Sequence, residues 1–291
     1  RAFFKVGREY LRQGRCGSQT IIVVMNGAVA TRLIRRYVAL FKSCEERHKR
    51  RRVLPRRVSV EVLTKNAIWV QDSAQIARDH SGKKVESQIV KDRGSLKTIG
   101  VSTGAPATGE DAVELLENLK NVRGLPLVLG TDNGSPFVCE KMAEFLQREK
   151  VIHLKSLPHT PQHNGSAEQT NGEIKRCGKL GKGVRASPIE AHARAITSAS
   201  LLNNNRIRPS KGLKTAAELD EEMVSGYQKI NRALFYDECS SKLEEVRMRG
   251  LGSREVRMQE REVIYGMLEK YKLVRRTWGA GQAATKPEIF L

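Results

Sequence analysis

The sequence predicts an α/β chain in which a mixed β-sheet core flanked by helices follows a basic helical segment. Three observations predict it. From residue 66 onward short apolar runs alternate with stretches of helical periodicity. Ahead of them, Leu33, Ile34, Tyr37, Val38 and Phe41 recur at helical spacing. Basic charge is also concentrated before the sheet begins. At 291 residues the chain is long enough for about two domains and a substantial core.

The chain carries 52 Lys and Arg against 32 Asp and Glu, a net charge of +20, and a polyanionic partner is the economical explanation. Residues 1–58 hold 16 basic and 3 acidic side chains, so +13 of the +20 lies there. Within that stretch, residues 18–26 have a β-like composition, but their setting favours a helix. Gly27-Ala28-Val29 makes a short turn, and the following helix puts Arg32, Arg35 and Arg36 opposite its apolar stripe. A helix, a Gly-containing turn and a basic second helix resemble a helix-turn-helix; an ordinary helical hairpin with a solvated basic face is the alternative. Arg47, Lys49, Arg50, Arg51, Arg52, Arg56 and Arg57 around Pro55 read as a linker tracking DNA phosphates.

Strands are expected over residues 68–76, 83–90 and 96–102, with Lys91-Asp92-Arg93-Gly94 as the turn between the last two. A helix over 109–121, a doubly buried strand over 125–129, a helix over 137–149 and a strand over 151–154 follow. A further helix begins at Glu168. Three strands, then helix, strand, helix, strand, helix is the order of the ribonuclease H-like fold. Helices are also expected over 188–203 and 254–270, and residues 271–291 are read as a winged-helix hairpin. The expected division is a basic segment to 58, a catalytic domain over 59–219 and a helical extension over 220–291.

Three carboxylates sit in this frame. Asp72 follows Trp69 in Ile-Trp-Val-Gln-Asp. Asp132 ends an apolar strand in Leu-Gly-Thr-Asp-Asn-Gly-Ser, where ligands of open α/β sheets gather. Thirty-five residues separate Asp132 from Glu168, which lies in His-Asn-Gly-Ser-Ala-Glu-Gln-Thr-Asn-Gly-Glu. This pattern resembles the Asp, Asp, 35 residues, Glu signature of the retroviral integrase and bacterial transposase superfamily. Carboxylate oxygens suit hard divalent cations, and paired ions can activate the attacking and stabilise the leaving oxygen of a phosphoryl displacement. The resemblance implies two Mg²⁺ or Mn²⁺ ions held by Asp72, Asp132 and Glu168. It also implies metal-dependent DNA end cleavage and strand transfer, with transposon-end and target DNA as partners and a homo-oligomer forming on DNA. A nuclease on the same fold that never joins, and a non-catalytic DNA-binding descendant, are the alternatives.

Asp72 and Glu168 have rivals. Asp79 belongs to a hairpin turn and Asp92 to turn chemistry of its own. Glu173 lies five residues after Glu168, a net rotation of about 140° along a helix, so the two cannot face one site. Only Glu168 has the family's flank, Pro161-Gln-His-Asn-Gly before it and Asn171 and Lys175 after it. Asn171 and Lys175 share its face. By resemblance that face meets DNA, with Lys175 on phosphate and Asn171 orienting substrate. His159 and His163 flank Pro161, which makes a helical metal pair improbable. Arg-Ile-Arg-Pro at 206–209, followed by Leu-Lys-Thr-Ala-Ala-Glu-Leu, is similar to the closing segment of many bacterial transposases.

The five cysteines are scattered without a C-x-x-C pair, which fits reduced thiols. Cys44 and His48 stand alone, without the four ligands of a structural zinc, so the His-His-Cys-Cys module of retroviral integrases is missing. That departure points to a bacterial insertion-sequence transposase, cytoplasmic and nucleoid-associated. No apolar run approaches the roughly 18 residues of a membrane span. The first residue is Arg, so the chain is expected to be a fragment or a truncated reading frame.

Overall fold

A computed structural model describes residues 1–45, 59–157 and 165–277. Three helices open the chain: α1 (Ala2–Arg12), α2 (Ser18–Met25) and α3 (Thr31–Glu45). They bury Val6, Tyr10, Ile21, Ile34 and Val38 in a small core of their own. The run at 18–25 is helical, as its setting implied, and Asn26 closes it in the left-handed region at φ 38°. A further helix, α1, precedes the predicted pair. One expectation is corrected: Leu33 lies exposed on α3 although it was placed on the apolar stripe. The Arg-rich linker with Arg50, Arg51 and Arg52 lies outside the described residues.

The central sheet contains β2 (Ile68–Arg78), β3 (Lys84–Asp92), β4 (Thr98–Gly104), β5 (Val128–Thr131) and β6 (Ile152–Lys155), in the order β4-β3-β2-β5-β6. β2, β3 and β4 form an antiparallel meander, while β5 and β6 run parallel to β2. This is the ribonuclease H-like arrangement. A separate ribbon pairs β1 (Ser59–Val62) with β7 (Val274–Thr277).

One face of the sheet carries α4 (Gly109–Arg123), α5 (Ser135–Val138) and α6 (Glu140–Arg148), which bury Trp69, Val90 and Leu129 against Leu116, Phe137 and Phe145. A Thr108–Asp111 capping box starts α4, and Gly124 at φ 78° stops it. The opposite face is divided. Over β2 and β3, α7 (Gly165–Cys177) and α8 (Pro188–Asn205) bury Ile76, Ala77, Val85 and Ile89 beneath Ile174, Ala195 and Leu202. After α9 (Ala216–Glu222) and α10 (Gly226–Lys229), α11 (Arg232–Arg247) and α12 (Ser253–Lys270) cover β5 and β6 with Phe235, Leu243, Ile264 and Leu268.

The helix expected over 137–149 is two helices, because Cys139 is extended at φ −72°, ψ 161° and ends α5 while opening α6. The strand expected over 125–129 is displaced toward its end at Thr131, since Pro126 has no N–H to give a ladder. β7 pairs with β1, about 215 residues earlier in the chain, and the rest of the expected tail hairpin lies outside the described residues. The sequence reading missed α11, although Phe235, Cys239, Leu243 and Val246 make a helical stripe.

Candidate active site

Asp72 lies mid-strand in β2, opposite Ile89 of β3. Side chains alternate across a strand, so Gln71 points to the α4 face, where its Nε2 donates to Gln88 and to the Ala112 carbonyl. Asp72 therefore points to the α7 face. It is 7% exposed, and Asn171 of α7 donates Nδ2 to its Oδ2 at 2.7 Å. Burial pushes the Asp72 carboxyl up to about 7; the Asn171 hydrogen bond opposes this, and the charges of Asp132 and Glu168 add to it.

Parallel pairing of β2 with β5 sets Gln71 against Thr131. Asp132, the residue after Thr131, thus lies beside the residue after Gln71, which is Asp72. The Asp132 loop is braced on several sides. Its Oδ1 accepts from the Gly134 N–H at 2.9 Å, and Asn133 donates to the Ser156 carbonyl at 2.9 Å. From α12, Arg257 donates to Asn133 at 3.0 Å. Thr131 gives its hydroxyl proton to the Asp132 carbonyl at 2.9 Å, so the contact with His153 Nε2 at 2.8 Å is a donation from the ring. Burial, with help from Lys155, holds His153 down to about 3, and the ring is neutral in this role.

Glu168 is exposed in the first turn of α7. Asn171, one turn on, is buried, so in place of the DNA contact expected for it, its amide is committed to Asp72. Lys175 is half-buried; burial lowers its pKa and the Asp72 charge partly offsets this. The helix ends at Cys177, and Lys179 sits beyond it at φ 50°. Arg32, Arg35 and Arg36 are exposed on α3. His159 and His163 lie outside the described residues.

The rival acids are accounted for by structure. Glu173 is buried in an ion pair with Arg206 and accepts from Gln169 at 2.8 Å. Burial alone would raise its pKa, but Arg206, Gln169 and Lys91 together hold it below the usual range. Beside it Lys91 donates to Thr170 at 2.9 Å, and burial depresses its ammonium to about 8. Asp92 accepts the N–H groups of Asn66 and Gly94, each at 2.7 Å, and Asp79 closes the β2–β3 turn by accepting from Lys83 N at 2.8 Å. Sequence reasoning missed Arg206 and His153. Arg206 was noted only within the Arg-Ile-Arg-Pro run, and nothing local to His153 marks its bond to Thr131.

The donor set suits a hard cation: one buried carboxylate receives the like charge of two others, and a bound divalent ion would neutralise them. It does not form a closed cage, for among the described residues no group of three acidic, His or Cys side chains is drawn together tightly enough to hold a metal.

No family model matches the chain. It is 30% identical over 135 residues to the Gag-Pro-Pol polyprotein of mouse mammary tumor virus (strain BR6), a match covering 45% of this chain and 8% of the polyprotein. Over 79 residues it is 32% identical to the intracisternal A-particle Pol-related polyprotein of mouse intracisternal A-particle MIA14, covering 26% of this chain and 9% of that one. The matched segments thus span less than a tenth of these curated relatives. Among solved structures, the HTLV-2 integrase catalytic core domain in complex with magnesium is 21% identical, with 55% of this chain and 99% of that chain covered and a TM-score of 0.42.

Proposed function

We propose that this chain cuts and joins DNA as a metal-dependent polynucleotidyl transferase of the transposase and integrase type. The observation that supports the reading is the parallel register of β2 and β5, which sets Asp72 beside Asp132, with Glu168 of α7 near enough for its charge to act on Asp72. Similarity to segments of retroviral Pol polyproteins agrees with the superfamily. The narrower assignment to a bacterial insertion sequence rests on the lack of a His-His-Cys-Cys set and on the 206–219 segment, and has no counterpart among those relatives.

In this reading Asp72, Asp132 and Glu168 hold Mg²⁺ or Mn²⁺, two ions in the family's scheme. Bound there, the metal supplies Lewis acidity toward phosphate and activates the attacking oxygen. The protein's own groups position the reaction. Asn171 donates to one Asp72 oxygen and orients that carboxylate, and the braced Asp132 loop keeps its carboxylate at the strand end. Lys175 offsets negative charge where the phosphodiester arrives. Cleavage by water frees a 3′-hydroxyl, and attack by that hydroxyl on target DNA joins the strands, with no covalent enzyme intermediate. Orientation and electrostatic stabilisation carry the rate. Transposon ends and target DNA are the proposed partners, with a homo-oligomer assembled on them.

The test is to incubate the chain with Mg²⁺ and labelled DNA bearing the inverted repeats that flank its coding sequence. Joined products support the proposal. Nicks without joining would identify a nuclease, and bound but uncut DNA a non-catalytic binding protein.

A further inference from the structure

The β2–β3 hairpin continues past Asp72 to a tip whose cations take no part in the chemistry proposed for the carboxylates. Arg78 and Lys84 lie directly opposite each other across the two strands. A third extended segment runs alongside: Arg78 N–H donates to the Val184 carbonyl at 2.8 Å, Ala186 N–H donates to the Arg78 carbonyl at 2.9 Å, and Arg185 pairs with Arg78 in a parallel bridge. Arg185, Arg78 and Lys84 thus form one rung across three backbones. Their neighbours Ala186, Ala77 and Val85 are buried in the core beneath α8. Alternation therefore turns the three cations to the other face, where all are exposed.

The two guanidiniums are held in place. Arg78 Nη1 donates to the Gly82 carbonyl at 2.8 Å and Arg185 Nη1 to the Asp79 carbonyl at 2.9 Å, one hydrogen bond each. The rest of each fork is left for a ligand, and a planar fork suits phosphate. Among the described residues no carboxylate pairs with any of the three cations. The nearby Asp79 carboxylate is occupied by Ser81 and the Lys83 N–H. Exposed Lys83 and Lys182 extend the field, and Lys182 is close enough to act on Lys175 at the candidate site.

Strand spacing of about 4.8 Å spreads the rung over roughly 10 Å, the axial rise of about three successive phosphates of one DNA strand. Six residues of strand at about 3.3 Å each put the rung about 20 Å along β2 from Asp72, on the opposite side of the strand, the length of about six base pairs of duplex. We propose that Arg78, Lys84 and Arg185 form a phosphate clamp that holds duplex DNA about six base pairs from the phosphodiester cut at the carboxylates. The clamp rests on the DNA-cutting reading and extends it to a second contact.

The test measures binding of the full chain to a labelled duplex across a salt series, together with phosphate-ethylation interference. Wild-type protein is compared with the triple variant Arg78→Gln, Lys84→Gln, Arg185→Gln, and with a control triple, Lys242→Gln, Arg249→Gln, Arg254→Gln, that removes the same charge from exposed sites on α11 and around the start of α12. The clamp predicts that the slope of log affinity against log salt shrinks by about 2.7, at about 0.9 per phosphate, and that interference about six base pairs from the cut disappears. Melting should not change, and the control should bind as wild type does. An unchanged slope in the Arg78, Lys84, Arg185 triple variant, while wild-type protein cuts DNA, would overturn the clamp alone. An equal loss in the control would reduce it to diffuse net charge. A larger rung-dependent change with RNA of the same length would overturn the choice of DNA. Wild-type protein that binds no duplex would remove the DNA-cutting reading and the clamp with it.

Discussion

Asn171 reaches across from α7 and donates its amide to Asp72 at 2.7 Å, tying the helix that begins with Glu168 to the strand that carries the first carboxylate. That bond favours the ionised form of Asp72. Asn171→Ala should therefore raise the Asp72 pKa further and move the acid limb of the cleavage profile to higher pH. Hydrogen bonds to charged groups contribute roughly 1.5–3 kcal/mol, so kcat at neutral pH should fall about 10- to 100-fold. A pH–rate series on wild type and variant checks this; a uniform loss with an unmoved limb would show that Asn171 only supports the fold.

Asp132→Asn or Glu168→Gln should abolish cleavage and joining while leaving DNA binding nearly intact, since each removes a proposed metal-ligand charge with little change of shape. Glu173→Gln should do the reverse. Breaking a buried ion pair by removing one partner costs about 3–5 kcal/mol, so the loss of Arg206's partner should appear in thermal unfolding while residual folded protein still cuts. Because the Glu173 pKa is depressed, its contribution to stability is present above the unfolded carboxylate range and is lost as pH falls through the folded value. Acid titration of wild type should show that loss, and the variant should not. Near-normal turnover in Glu168→Gln with none in Glu173→Gln would reverse the assignment.

Asp72 carries the opposite sign. Its folded pKa is raised to about 7, so in metal-free protein its contribution to stability is present below the unfolded carboxylate range and is lost as pH rises through about 7. At pH 8 Asp72→Asn should therefore stabilise the metal-free chain, by on the order of 2 kcal/mol. Mg²⁺ should raise the melting temperature of wild type and do little for the variant. Identical metal responses in the two proteins would place the ion elsewhere.

Lys175→Glu should weaken substrate engagement and joining, because a half-buried cation near Asp72 becomes an anion. It should also raise the Asp72 pKa. Lys179 lies beyond the end of α7, and Lys179→Glu should do less. Joining assays on the two variants separate a local contact from a diffuse basic field: equal losses would favour the field.

The features legible in the sequence are those written by neighbours in the chain. Apolar alternation and helical stripes marked the meander, α4 and α8, because period and capping act within a few residues. The same locality exposed Asp79 and Asp92 as turn residues and put Asp132 at a strand end. Helical geometry put Glu168 and Glu173 on different faces, and the flanking residues chose between them. Burial and long-range partners were not legible. Asn171 was read as a DNA contact because its spacing from Glu168 gives a face but not what covers it, and its partner Asp72 lies 99 residues away. The pairing of β7 with β1 was not legible either, because β propensity names no partner and packing of the tail over β5 and β6 brings the two strands together. The hairpin-tip rung was also hidden: Arg78, Lys84 and Arg185 become neighbours only when the segment following α7 lies along β2. Local chemistry thus determined the elements and the motif resemblance named the candidate carboxylates, whereas tertiary packing decided which polar groups lost water and therefore which had to find one another.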